Sequence, residues 1–98
     1  MTHHIEWQHV SVAHVIRAME EYDRLGAVEF FSVHGFAPAT TYELINDNKV
    51  YPPKAILGAA YELATGTRLS SGDFEGGKAG AVKVLRELGF RVEPQQPA

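Results

Sequence analysis

The chain has 98 residues, 45% of them hydrophobic and 10% aromatic, enough for one folded domain with a modest core and too few for two. Such a composition excludes a disordered chain, and the absence of cysteine excludes disulfides and thiolate metal sites and fits a reducing cytoplasm. The net charge of −3 at pH 7 argues against non-specific affinity for a polyanion.

The charge is nevertheless uneven. Glu20, Glu21, Asp23 and Glu29 gather in the first half, while Lys49, Lys54, Arg68, Lys78, Lys83 and Arg86 fall in the second. No apolar run approaches the length of a membrane span. The N-terminus also lacks a charged segment leading into an apolar one, so neither an anchor nor a signal is expected.

In chain order, Ile5-Glu6-Trp7 reads as an edge strand. A first helix starts after Ser11, a good N-cap, and ends at Leu25-Gly26, with Val12, Val15, Ile16, Met19 and Tyr22 on one stripe. A second spans Ala27 to His34 and stops at Gly35; it sets Val28, Phe30 and Phe31 against the first. Tyr42, Leu44, Val50 and Tyr51 then surround the polar turn Asn46-Asp47-Asn48-Lys49, which predicts a hairpin. Pro52 and Pro53 open a third helix, where a missing N–H costs nothing. Ile56, Leu57, Ala60, Tyr61 and Ala64 recur along it at helical spacing, and Gly66 ends it. Residues 67–73 read as a polar surface loop. A fourth helix is expected from about Gly77 to Leu88, with Val82, Leu85 and Leu88 facing the core and Gly89 as its stop. Phe90-Arg91-Val92 makes a last strand beside the hairpin, and 94–98 a flexible tail or linker stub. The predicted fold class is α+β: about four helices packed on a small antiparallel hairpin or sheet, as one compact domain over residues 1–93.

Four segments carry a resemblance: Tyr51-Pro52-Pro53-Lys54-Ala55-Ile56-Leu57-Gly58 with its closing Ala64-Thr65-Gly66, Asp73-Phe74-Glu75-Gly76-Gly77, Leu85-Arg86-Glu87-Leu88-Gly89-Phe90, and Ala13 to Gly26. Together they resemble the N-terminal head domain of ScoMcrA-like, modification-dependent (type IV) HNH restriction endonucleases, which restrict methylated or phosphorothioated DNA in actinobacteria. The resemblance implies a DNA-associated accessory domain and supplies no reaction. The sulfur-binding, base-flipping and HNH nuclease motifs of such enzymes are not found in this sequence.

Catalytic readings are weak. Of the five histidines, His3 and His4 read as exposed chain-end residues and His14 as lying on the outer face of the first helix; no pair has metal-ligand spacing. Glu20, Glu21 and Asp23 point in different directions from one helix and read as a solvated face. Ser70-Ser71-Gly72 lacks any nucleophile frame. Neither catalysis, metal nor cofactor is expected.

Binding readings are stronger. Lys54 falls in the first turn of the third helix, where the helix dipole disfavours a cation unless an anion meets it. Gly76, Gly77 and Lys78, at the expected mouth of the fourth helix, have the chemistry of a phosphate cradle, although two glycines also make a sharp loop. With Arg68, these ends would form a phosphate-backbone site if they share a side. Tyr42 and Tyr51 could stack on a base or be core residues, and Lys49 lies in a turn that could enter a groove. The expectation is a non-catalytic head module contacting double-stranded DNA, modified or plain, through Lys54, Lys78, Arg68, Lys49, Tyr51, Tyr42, Gly77 and Gly76. It would work with an HNH nuclease or modification-reading domain in cis or in trans. The alternative is a protein-interaction or dimerisation module docking such a domain.

Overall fold

The computed structural model describes residues 5–38 and 41–95. The helices are α1 (Val12–Leu25), α2 (Ala27–His34), α3 (Pro53–Thr65) and α4 (Ala81–Glu87), and the strands are β1 (Tyr42–Asn46), β2 (Lys49–Tyr51) and β3 (Arg91–Pro94). The strands form one antiparallel sheet in the order β2-β1-β3. Four helices and a small antiparallel sheet make the α+β class expected from the sequence.

Local chemistry sets most of the boundaries. Ser11 caps α1 reciprocally: its Oγ accepts the His14 N–H at 3.4 Å, and its own N–H donates to His14 Nδ1 at 3.0 Å. His14 is therefore a capping residue rather than one merely facing outward. Asp47 and Asn48 take φ of 53° and 63°, which gives the two-residue hairpin loop its right-handed twist. Pro52 caps α3 with extended backbone, and Gly66 closes it at φ 78°. His3 and His4 lie outside the described residues.

Several expectations need correction. Residues 5–7 form no strand; Trp7–His9 is a 3-10 turn whose indole packs edge-on against Tyr61 and Phe74 at 5.3 and 5.2 Å. The buried face of α1 is Val15, Ala18 and Met19, while Val12 and Ile16 are 44% and 38% exposed, because α1 packs chiefly along α3 and not on the strands. Val28 is 86% exposed and does not pack on α1. Leu69 is buried and anchors the supposed surface loop to the core.

The fourth helix starts four residues later than its composition suggests. The Ala81 N–H donates to Glu75 O at 2.8 Å, and the Gly80 N–H donates to Gly77 O at 2.9 Å, so residues 75–80 fold into a compact turn ahead of α4. Gly80 makes that turn feasible: a Cβ there would lie 2.0 Å from Glu75 O. Gly76, Gly77 and Lys78 thus stand in a turn and not at a helix mouth.

Strand β3 continues to Pro94, and the Gln95 N–H donates to Thr41 O at 2.8 Å, so pairing extends past the expected start of the tail. This register turns the polar groups of Val92 and Pro94 toward the free edge. Arg86 Nε and Nη2 both donate to Val92 O, at 3.2 and 2.7 Å, and Pro94 has no N–H. The edge is thereby closed to further strands.

Replacing Gly80 with Ala should force the 75–80 turn open and lower the melting temperature by on the order of 10 °C. Gly77→Ala, which meets nothing within 4 Å, should leave it within about 2 °C. Differential scanning calorimetry of the two variants checks the contrast.

Candidate nucleic-acid interface

A concave groove of about 310 Å³ opens between the start of α3, the start of β1 and the 71–77 loop. Phe36, Pro52 and Pro53 contribute apolar walls, Tyr42 stands on the β1 side, and Lys54, Gly76 and Gly77 line the loop side. Four of the eight residues singled out by the sequence therefore meet on one surface: Lys54, Tyr42, Gly76 and Gly77. Lys78 follows directly, exposed in the turn.

Lys54 is held in a defined pose. Its Nζ donates to the Ser71 carbonyl and sits 5.4 Å from the Phe74 ring centroid. Its stem lies against Gly76, where a Cβ would come within 3.4 Å. Its partners are a neutral carbonyl, the Ser71 hydroxyl at 3.5 Å and a ring, so among the described residues no carboxylate cancels the charge, which sits at the positive end of α3.

The remaining candidates are engaged within the domain. Tyr51 is paired with Leu44 in the sheet, on the core side, and is only 4% exposed. Its hydroxyl donates to Asp23 at 2.9 Å. Lys49 donates to the same carboxylate at 3.3 Å. Arg68 Nη2 donates to Val33 O at 2.7 Å and ties the loop after α3 to the end of α2. Burial and the Asp23 carboxylate push the Tyr51 phenol up to about 12.

Sequence reasoning missed two clusters. Asp23 is exposed, as a solvated face implies, but it also bonds the hairpin, and the partly exposed Glu21 bonds His34 Nε2. His34 Nδ1 lies 3.7 Å from Glu62, and its ring rests on Phe30 at 4.5 Å, so one side chain links α1, α2 and α3. No local pattern could have shown this, because the partners come from three helices. The Ser71 and Phe74 contacts to Lys54 had a fainter signal. Ser70-x-x-Asp73 is a capping-box spacing, and Ser70 N–H does donate to Asp73 at 2.8 Å; that box shapes the loop presenting both residues.

Fold and groove together define a small α+β module built round one buried helix, without a group of three or more metal-ligating side chains among the described residues. None of its helices among those residues is long and apolar enough to cross a membrane. Residues 8–94 match the family described as the ScoMcrA-like N-terminal head domain, and the chain belongs to that family. Among solved structures it is similar to the type IV phosphorothioation-dependent restriction endonuclease ScoMcrA, at 27% identity and a TM-score of 0.67 over 92% of this chain. The chain spans only 14% of the length of that enzyme. No curated protein matches.

The Tyr51 phenol gives a pH prediction. Its folded value lies above that of the unfolded phenol, so its contribution to stability is complete below about pH 10 and is lost as pH rises through about 12. Ultraviolet titration of tyrosinate should show one late step, and Tyr51→Phe should abolish it. A Tyr51→Phe protein that keeps the late step would assign it to another tyrosine.

Proposed function

We propose that this domain is a non-catalytic head module that contacts DNA in a cytoplasmic, restriction-associated setting, alongside an HNH nuclease or modification-reading domain. The contact surface is the Lys54 groove: Tyr42 on one wall, the Gly76-Gly77 backbone on the other, and Lys78 at the margin. The observation that carries this reading is the convergence of Lys54, Tyr42, Gly76 and Gly77 on one concavity, with a Lys54 charge that no described carboxylate neutralises. Membership of a restriction-endonuclease head family supports the setting. Lys49, Tyr51 and Arg68 do not line the groove; Lys49 and Tyr51 bond the Asp23 carboxylate, and Arg68 ties the loop after α3 to Val33 O.

The test uses fluorescence anisotropy with methylated, phosphorothioated and plain DNA at two salt concentrations. Lys54→Ala should weaken binding and lower the salt slope by about one charge, while Lys49→Ala, whose charge is spent on Asp23, should change neither. Unchanged affinity in folded Lys54→Ala removes the groove from the interface. Incubation with plasmid in Mg²⁺, Mn²⁺ or Zn²⁺ should give no chelator-sensitive nicking.

A second reading, docking of a nuclease or sensor domain, is favoured by the net charge of −3 and by an exposed apolar strip. Val12 and Ile16 line a second groove with Ile45, Leu88 and Phe90, beside the polar turn Asn46-Asp47-Asn48 and Arg91, a mixed surface of the kind that partner domains cover. On that reading Ile16→Asp keeps the fold, leaves DNA affinity unchanged and abolishes association with a family nuclease in analytical ultracentrifugation.

A further inference from the structure

The groove has too few cations to track a duplex backbone, and that constraint bears on what it takes. A protein following duplex phosphates needs a row of cations spaced along a ridge. This concavity is lined by one, Lys54, with Lys78 exposed in the turn at its margin; Lys49 and Arg68 lie outside its lining. Most of the rest of its lining is apolar or aromatic, with Phe36, Pro52, Pro53 and Tyr42 among the walls, while Thr41, Ser71 and the Gly76-Gly77 backbone add polar atoms. One cation beside an aromatic and proline-walled hollow matches the chemistry of one phosphate and one unstacked base. A volume of about 310 Å³ is at the small end of ligand sites, suited to one nucleotide.

We propose that the groove takes a single unpaired nucleotide, at a strand end, a gap or an extruded position, with its base against Tyr42 and the prolines and its phosphate at Lys54. The inference rests on the DNA reading above and narrows it. A stacked base inside a duplex cannot reach the walls, because its faces are covered by its neighbours; an unpaired one offers both an apolar face and an adjacent charge. Gly76 and Gly77 keep the loop side low, since neither presents a side chain into the hollow.

The experiment compares three labelled probes against the whole chain: a single strand of about 12 nucleotides, within the span such sites cover, a blunt duplex of the same sequence, and that duplex with a one-nucleotide gap. Single-strand and gapped probes should bind on the order of tenfold more tightly than the blunt duplex. Tyr42→Leu should erase the preference with the melting temperature retained, and Tyr42→Phe, which keeps the ring, should preserve it. Equal affinity for all three probes, or an undiminished preference in folded Tyr42→Leu, overturns the single-nucleotide inference and leaves DNA contact standing. Failure of every probe to bind overturns the DNA reading and this inference together.

Discussion

The structure depends on the burial of α3. Ala55, Ile56, Leu57, Gly58, Ala59, Ala60 and Tyr61 are all buried in an unbroken run, so this helix has almost no wet face, and α1, α2, α4 and β1 are arranged around it. Such a helix must be small where neighbours approach. The ring of Phe36 lies so close to Gly58 that a Cβ there would be 2.5 Å from its tip. The groove follows from this packing. Pro52 and Pro53 start the helix already buried, Phe36 is drawn down beside it, and the hollow lies between them, the sheet side and the 71–77 loop.

Aromatic side chains brace the two sides of that helix differently. Trp7, Tyr61, Phe74 and Phe36 form edge-to-face pairs on the loop side, each worth about 0.5–1.5 kcal/mol beyond area burial. Phe74 also lies beneath the Lys54 ammonium, so the packing that secures the N-terminal turn fixes the cation's position as well. On the other side Tyr22 pairs with Phe30 and Tyr51, and the Tyr51 hydroxyl finds Asp23. Two tyrosines of the same hairpin thus meet different fates: Tyr51 points at an aromatic cluster with an acid at its rim, while Tyr42 borders the groove.

Charge is allocated by the same geometry. Arg86 was a candidate for a positive surface, yet its guanidinium closes the β3 edge. Lys49 and Arg68 hold the hairpin and the end of α2. Lys54 is the one cation among the described groove residues, and it bonds a carbonyl and not a carboxylate.

By itself the sequence determined the helices α1, α2 and α3, their caps and the hairpin, because Ser11, Gly26, Gly35, Pro53 and Gly66 act through backbone geometry within a few residues. It also carried the family resemblance, since that rests on order and spacing along the chain. The α+β class followed from the same local signals. Only the tertiary structure decided which face of α1 is buried, because Val12 and Ile16 are as apolar as Val15 and Met19 and nothing local ranks them. The late start of α4 was also tertiary: it depends on a backbone contact between Gly80 and Glu75 that composition does not encode. The same holds for the candidate site. Lysines and tyrosines are legible as residue types, but whether each faces a groove, an acid or a carbonyl depends on partners far away in the chain, as Asp23 does for Tyr51 and Ser71 for Lys54.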